Sequence, residues 1–160
     1  MHAIHAGGKS MQTEIRQAVL ADAGEVASCV CHAFISYIPL IGKQPQPMLD
    51  DYQALIKACK VFVLCKDTKI IGVLVLEQTT DGFCIETLAI HPLMQSLGLS
   101  KKLVAFAEKV ATKMQYQSLY LSTNQIMHKA QAIYKHLGFV EYDRRRINGY
   151  DRLFFRKNLA

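Results

Sequence analysis

Three short apolar runs follow one another in the middle of the chain: Val61 to Cys65, Ile70 to Leu76 and Phe83 to Ile90. Asp67-Thr68-Lys69 separates the first two and Thr80-Asp81-Gly82 the last two. Connections this short cannot carry a crossover, so the strands must turn back on each other and pair antiparallel. The third run is apolar on both faces except at Glu86, the pattern of a central strand covered on both sides.

Around this core the spacing changes from strand to helix. Thr13 to Leu20 alternates weakly and reads as a first strand. Asp22 is placed to cap a helix through Phe34, with Glu25 completing a capping box and Val26, Cys29, Val30, Ala33 and Phe34 on one face. Ile38 to Met48 holds Pro39, Gly42, Pro45 and Pro47 and reads as a loop; Leu49 to Cys59 reads as a short helix. After His91-Pro92, the positions Leu99, Leu103, Phe106, Ala107, Val110 and Met114 mark a helix from about Gly98 to Lys113. Leu119 to Ser122 is a short strand. Ile126, Ala130, Ile133, Tyr134 and Leu137 share a helix face that ends at Gly138, a left-handed cap. Phe139 to Ile147 and Tyr150 to Lys157 flank Asn148-Gly149, a strong hairpin signal. This mixture predicts an α/β (α+β, mixed-sheet) fold with helices on both faces.

Composition narrows the class. The 160 residues are 51% hydrophobic and 20% charged, which fits a single packed domain over 12–160. The opening MHAIHAGGKS has no apolar core of secretory length, so residues 1–11 are expected to be an unstructured leader or an expression remnant. No uninterrupted apolar run reaches the roughly 20 residues of a membrane span, and the expectation is a cytoplasmic protein with no membrane partner. Cys29, Cys31, Cys59, Cys65 and Cys84 are odd in number and lack paired spacing, so neither disulfides nor zinc is indicated. His128 and His136 are two helical turns apart, too far for one metal, and none is expected. The net charge of +6 makes an anionic partner plausible, either a nucleotide-like cofactor or nucleic acid. Nucleic acid is the weaker choice, because no recognition helix or RNA-binding strand motif is present.

The decisive stretch is LAIHPLMQSLGLSKKL, Leu88 to Leu103, where a strand runs through a turn into an amphipathic helix. A helix N-terminus leaves backbone amides free and carries positive partial charge, so small residues there let a pyrophosphate approach the main chain. Gly98 permits that approach, Ser100 is small, and Lys101 and Lys102 add charge that is unfavourable to the helix unless an anion sits at its end.

This element, Gln95-Ser96-Leu97-Gly98-Leu99-Ser100, resembles the Q/R-x-x-G-x-G/A phosphate-binding turn of the GNAT superfamily of N-acetyltransferases. Two more segments resemble that family: AIYKHLGF (Ala132 to Phe139) its last helix, and GYDRLFFRKNL (Gly149 to Leu159) its final strand. The loop IPLIGKQPQPMLDDY is similar to loops of a bacterial subgroup. The likeness runs from about Thr13 to Leu159. It implies the GNAT acyl-CoA N-acyltransferase fold, a mostly antiparallel sheet splayed between its fourth and fifth strands. Departures are Ser100 for Gly or Ala, Ser96 and Leu97 for Gly and a basic residue, and Ala130 where many relatives carry Asn.

The resemblance implies acetyl-CoA as co-substrate. Its diphosphate would be held by Gln95, Ser96, Leu97, Gly98, Leu99, Ser100 and Lys101, and its pantetheine by the main chain of Leu88, Ala89 and Ile90. Asn124 either bonds the pantetheine or caps the last helix. A primary amine would attack the thioester directly. Because an alkylamine has a pKa of about 10, it needs a base, and Glu86 is the candidate; it is either that base or a structural carboxylate paired with an arginine. Tyr134 is the candidate acid for the departing thiolate, or a core residue. No cysteine has an activating neighbour in sequence for an acyl-enzyme route. The alternative function is a non-catalytic acyl-CoA-binding sensor. The acceptor pocket is expected from about Phe34 to Tyr52 and Arg144 to Tyr150, with Arg144 to Arg146 either favouring an acidic acceptor or facing solvent. Dimers are common in the family, so a homodimer is compatible.

Overall fold

The computed structural model describes residues 12–95 and 98–159. The leader expected over 1–11 and the expected phosphate contacts of Ser96 and Leu97 lie outside the described residues.

Strands β1 (Thr13–Gln17), β2 (Val61–Lys66), β3 (Lys69–Thr79), β4 (Gly82–Ile90), β5 (Ser118–Asn124), β6 (Val140–Ile147) and β7 (Tyr150–Asn158) form one sheet in the order β1-β2-β3-β4-β5-β7-β6. Every neighbouring pair is antiparallel except β4 and β5, which run parallel. A parallel pair needs a crossover. The chain makes it with α4 (Leu99–Lys113), which packs on β3, β4 and β5. That face buries Leu64, Leu74, Ile85, Leu103, Leu121 and Phe155 in one cluster. The opposite face holds α1 (Ala23–Phe34) and α3 (Tyr52–Lys57), with Val26, Val30, Val61, Val63, Val73 and Ala89 in a second cluster. The mixed sheet with helices on both faces is thus the architecture anticipated from the sequence.

Local differences have physical causes. The capping box at the start of α1 does not form. Asp22 sits in a 3-10 turn, accepts from Val19 N at 2.8 Å and pairs with Arg16 at 2.7 Å. That charge-assisted contact holds its carboxyl below the usual range and takes it away from the helix amides. Glu25 instead accepts from Ile70 N at 2.8 Å, fastening α1 to β3. The stretch read as a loop contains α2 (Ile38–Ile41) and a 3-10 turn, Gln46–Leu49. Pro39 and Pro47 fit because the first helical positions need no amide donor. The helix expected from Leu49 starts at Tyr52, where Asp51 accepts from Ala54 N at 3.1 Å as its cap. Asn148 (φ 52°) and Gly149 (φ 81°) are both left-handed, as the two-residue hairpin requires.

The helical run Leu20–Ile41 is long and apolar enough, by length and composition, to cross a membrane. This differs from the expectation that no such stretch exists. The strand contacts explain its apolarity in part: Val26, Cys29, Val30, Ala33 and Phe34 are buried against the sheet.

Leu103 is fully buried where α4 crosses the parallel strands. Leu103→Ala is expected to cost about 3 kcal/mol, lowering the melting temperature by roughly 6 to 12 °C. Calorimetry checks it; a loss under about 1 kcal/mol would mean that this face tolerates a void.

Candidate active site

The parallel pairing of β4 and β5 is short. Phe83 lies opposite Leu119, Cys84 opposite Tyr120 and Ile85 opposite Leu121, and there the register ends. Both strands continue, β4 to Ile90 and β5 to Asn124, without pairing to each other. A cavity of about 740 Å3 opens between them, lined by Glu86 to Ile90 on one side and Ser122 to Asn124 on the other. Main-chain groups on the open edge of β4 have no ladder to join, and buried groups of that kind require another partner.

β4 is also bulged at this point. Val75 faces Thr87 and Leu76 faces Ile85, so Glu86 is an extra residue with no counterpart on β3. A bulge re-aims side chains. Ile85 is packed in the α4-side core, whereas Glu86 is exposed to the cavity, and the Cys84 thiol donates to its Oε2 at 3.6 Å. Thr87, 3% exposed, carries a buried hydroxyl with no hydrogen-bond partner among the described residues.

At one end of the cavity the chain turns into α4. Gly98 takes a left-handed conformation (φ 75°) as the N-cap. The first helical bond runs from Lys102 N to Gly98 O at 3.3 Å. That leaves the amides of Leu99, Ser100 and Lys101 outside the helix ladder. Gly98, Leu99, Ser100 and Lys101 all line the cavity. Lys102 does not join them: its ammonium bonds to Thr13 of β1. Gln95 also lines the cavity, and its Nε2 donates to Ile90 O at 3.1 Å, covering one of the strand carbonyls.

Tyr134, on α5 (His128–His136), lines the same cavity, its ring edge-on to Phe139 at 5.9 Å and 6.4 Å from Phe155. Burial, with Tyr37 nearby, pushes its phenol up to about 12. Asn124 uses its side chain locally, Oδ1 accepting from Ile126 N at 3.0 Å in the turn before α5. Ala130 faces the cavity where an amide side chain was the alternative.

On the far side, α1, α2 and the following loop form a wall with Phe34, Tyr37, Ile41, Pro45 and Pro47. The wall is tied to the β6–β7 hairpin, Tyr150 donating to Gln44 O at 2.6 Å and Lys43 standing 3.9 Å over the Tyr150 ring. Arg144, Arg145 and Arg146 are not part of this wall. They are exposed and paired with Glu141 (2.7 Å), Asp143 (2.6 Å) and Asp151 (3.0 Å). The arginine that lines the cavity is Arg152, a residue not among those the sequence pointed to. Its signal was present: a cation at an inward register of a strand reading Leu153, Phe154, Phe155.

The buried cysteines Cys29 and Cys84 do not suit nucleophilic work. Burial pushes Cys29 up to about 12 and Cys84 higher still, leaving protonated thiols. No group of three or more His, Cys, Asp or Glu placed to hold a metal occurs among the described residues.

The sequence pattern of the acetyltransferase (GNAT) family matches residues 30–139. No curated sequence matches significantly. Among solved structures, PaiA N-acetyltransferase from Thermoplasma acidophilum, crystallised with coenzyme A, superposes with a TM-score of 0.77 at 17% identity, covering 92% of this chain and 99% of its own. The ribosomal-protein-S18-alanine N-acetyltransferase of Escherichia coli gives 0.72 at 16%, covering 93% and 95%. Ard1 from Thermoplasma volcanium gives 0.71 at 14%, covering 92% and 98%.

A Cβ on Gly98 would meet nothing within 4 Å, so the cost of Gly98→Ala comes from its left-handed backbone alone. We expect roughly 1 to 2 kcal/mol of destabilisation, together with at least tenfold weaker acetyl-CoA binding by calorimetric titration as the turn relaxes. Unchanged affinity would show that the α4 terminus does not hold the ligand.

Proposed function

The chain belongs to the GNAT acetyltransferase family, and on that premise we propose that it transfers the acetyl group of acetyl-CoA to a primary amine by direct attack within a ternary complex. The observation that carries this reading is the continuous cavity running from the α4 N-terminus, along the unpaired edge of β4, to Glu86 and Tyr134.

Each part of the cavity has a task. The free amides at Leu99, Ser100 and Lys101, approached over Gly98 and assisted by the Lys101 charge, receive the diphosphate. The open edge at Leu88, Ala89 and Ile90 receives the pantetheine amides as a strand would, by main-chain hydrogen bonds. Gln95 either keeps its bond to Ile90 O or yields it to the ligand. Asn124, whose Oδ1 is committed to its own turn, contributes at most its amide NH2.

The amine enters from the side walled by Tyr37 and Tyr150. Glu86 accepts its proton, directly or through a water, freeing the lone pair that forms the C–N bond. As the C–S bond breaks, negative charge collects on sulfur beside Tyr134. A thiol's pKa is near 8.5, below that of this phenol, so complete proton transfer from Tyr134 is uphill. Its principal contribution is a hydrogen bond to the developing thiolate, strengthened by the burial of the phenol. No acyl-cysteine step is needed, in keeping with the buried, protonated thiols of Cys29 and Cys84.

Tyr134→Phe is expected to lower kcat at least tenfold with little change in acetyl-CoA affinity, read by thiol release and titration. Unchanged kcat would reduce Tyr134 to a packing residue. In the wild type, the raised pKa means that Tyr134 remains a donor as pH rises. The kcat should therefore show no alkaline loss through about pH 10, where an unshifted phenol is half ionised. Acetyl-CoA binding without thiol release from any amine would favour a sensor over an enzyme.

A further inference from the structure

The half of the cavity remote from α4 carries a charge pattern that points to the acceptor. Across one face of the sheet lie Glu86 on β4, Ser122 on β5 and Arg152 on β7. Arg152 Nε donates to Ser122 Oγ at 2.9 Å and Nη2 to Ser122 O at 3.4 Å. Its Nη1 has no hydrogen-bond partner among the described residues. Burial draws the guanidinium pKa down, and the charge of Glu86 opposes that, yet no ion pair of Arg152 forms among the described residues. A half-buried guanidinium held on one side and open on the other is costly unless an anion completes it, and its planar fork matches a carboxylate. Of the lysines lining the cavity, Lys101 lies at the α4 terminus and Lys129 on the first turn of α5. Around Arg152 the walls are apolar, with Phe34, Tyr37, Ile41 and Tyr150.

We propose that the acceptor is an amine that also bears a carboxylate and an apolar body, of the size of an apolar amino acid. Arg152 takes the carboxylate, Glu86 faces the amino group, and the tyrosine-lined wall takes the side chain. This rests on the acetyl-transfer reading above and adds to it a specificity residue. A polyamine, all cation, is disfavoured by Arg152.

The test measures thiol release from acetyl-CoA with matched probes: L-methionine against L-methioninamide, L-phenylalanine against L-phenylalaninamide, and spermidine. The amides have the more easily deprotonated amine, so a preference for the acids runs against intrinsic reactivity. The acids are expected to exceed the amides at least tenfold in kcat/KM. Arg152→Gln and Arg152→Lys should each collapse that ratio toward one, chiefly through KM, with acetyl-CoA thermal shift as the check on folding. Amides or spermidine used as well as the acids would overturn the proposal while leaving acetyl transfer in place, as would a ratio that survives Arg152→Gln. Failure of every amine to release thiol would overturn both.

Discussion

The divergence of β4 and β5 after Ile85 and Leu121 is the constraint on which the rest depends. A parallel ladder that continued to Ile90 would satisfy its own main chain and leave no room between the strands. Stopping it leaves main-chain donors and acceptors at the centre of a sheet otherwise paired throughout, and these require an outside partner. The Glu86 bulge and the α4 terminus both lie along that same opening. The bulge turns a carboxylate into the cavity, and the left-handed Gly98 brings free amides to its other end. An extended ligand with an anionic end matches this arrangement better than a compact one.

Polarity is distributed along the cavity in the same sense. Lys101 and the helix terminus make one end positive, and the middle is main chain and apolar side chains. The far end joins Glu86 and Arg152 beneath an aromatic wall. The net charge of +6 is therefore not a single basic surface. Arg144, Arg145 and Arg146 are offset by neighbouring carboxylates and Lys102 is drawn to β1, while Lys101 and Arg152 face the cavity.

Much of the fold was legible because strand and helix periodicities differ and the turns are short. The hairpins through Asp67-Thr68 and Asn148-Gly149, the α4 face and the left-handed Gly138 follow from local chemistry that tertiary contacts do not override. The capping box at Asp22 failed because Arg16, distant along the helix pattern but adjacent in space, competes for the carboxylate. The α2 turn was hidden by prolines, which read as loop yet suit a first helical turn. At the site, sequence indicated the strand-turn-helix but not the bulge, since one extra residue leaves no trace in composition. Arg152 was missed for a related reason: its partners, Ser122 and the cavity, come from other strands.

Amide hydrogen exchange with and without acetyl-CoA tests the central claim most directly. If the parted strands and the α4 terminus hold the coenzyme, protection will rise at Leu88 to Ile90 and at Leu99 to Lys101, with smaller changes along β1 and β2. Binding that protects other segments, or no binding at millimolar coenzyme, would contradict the account.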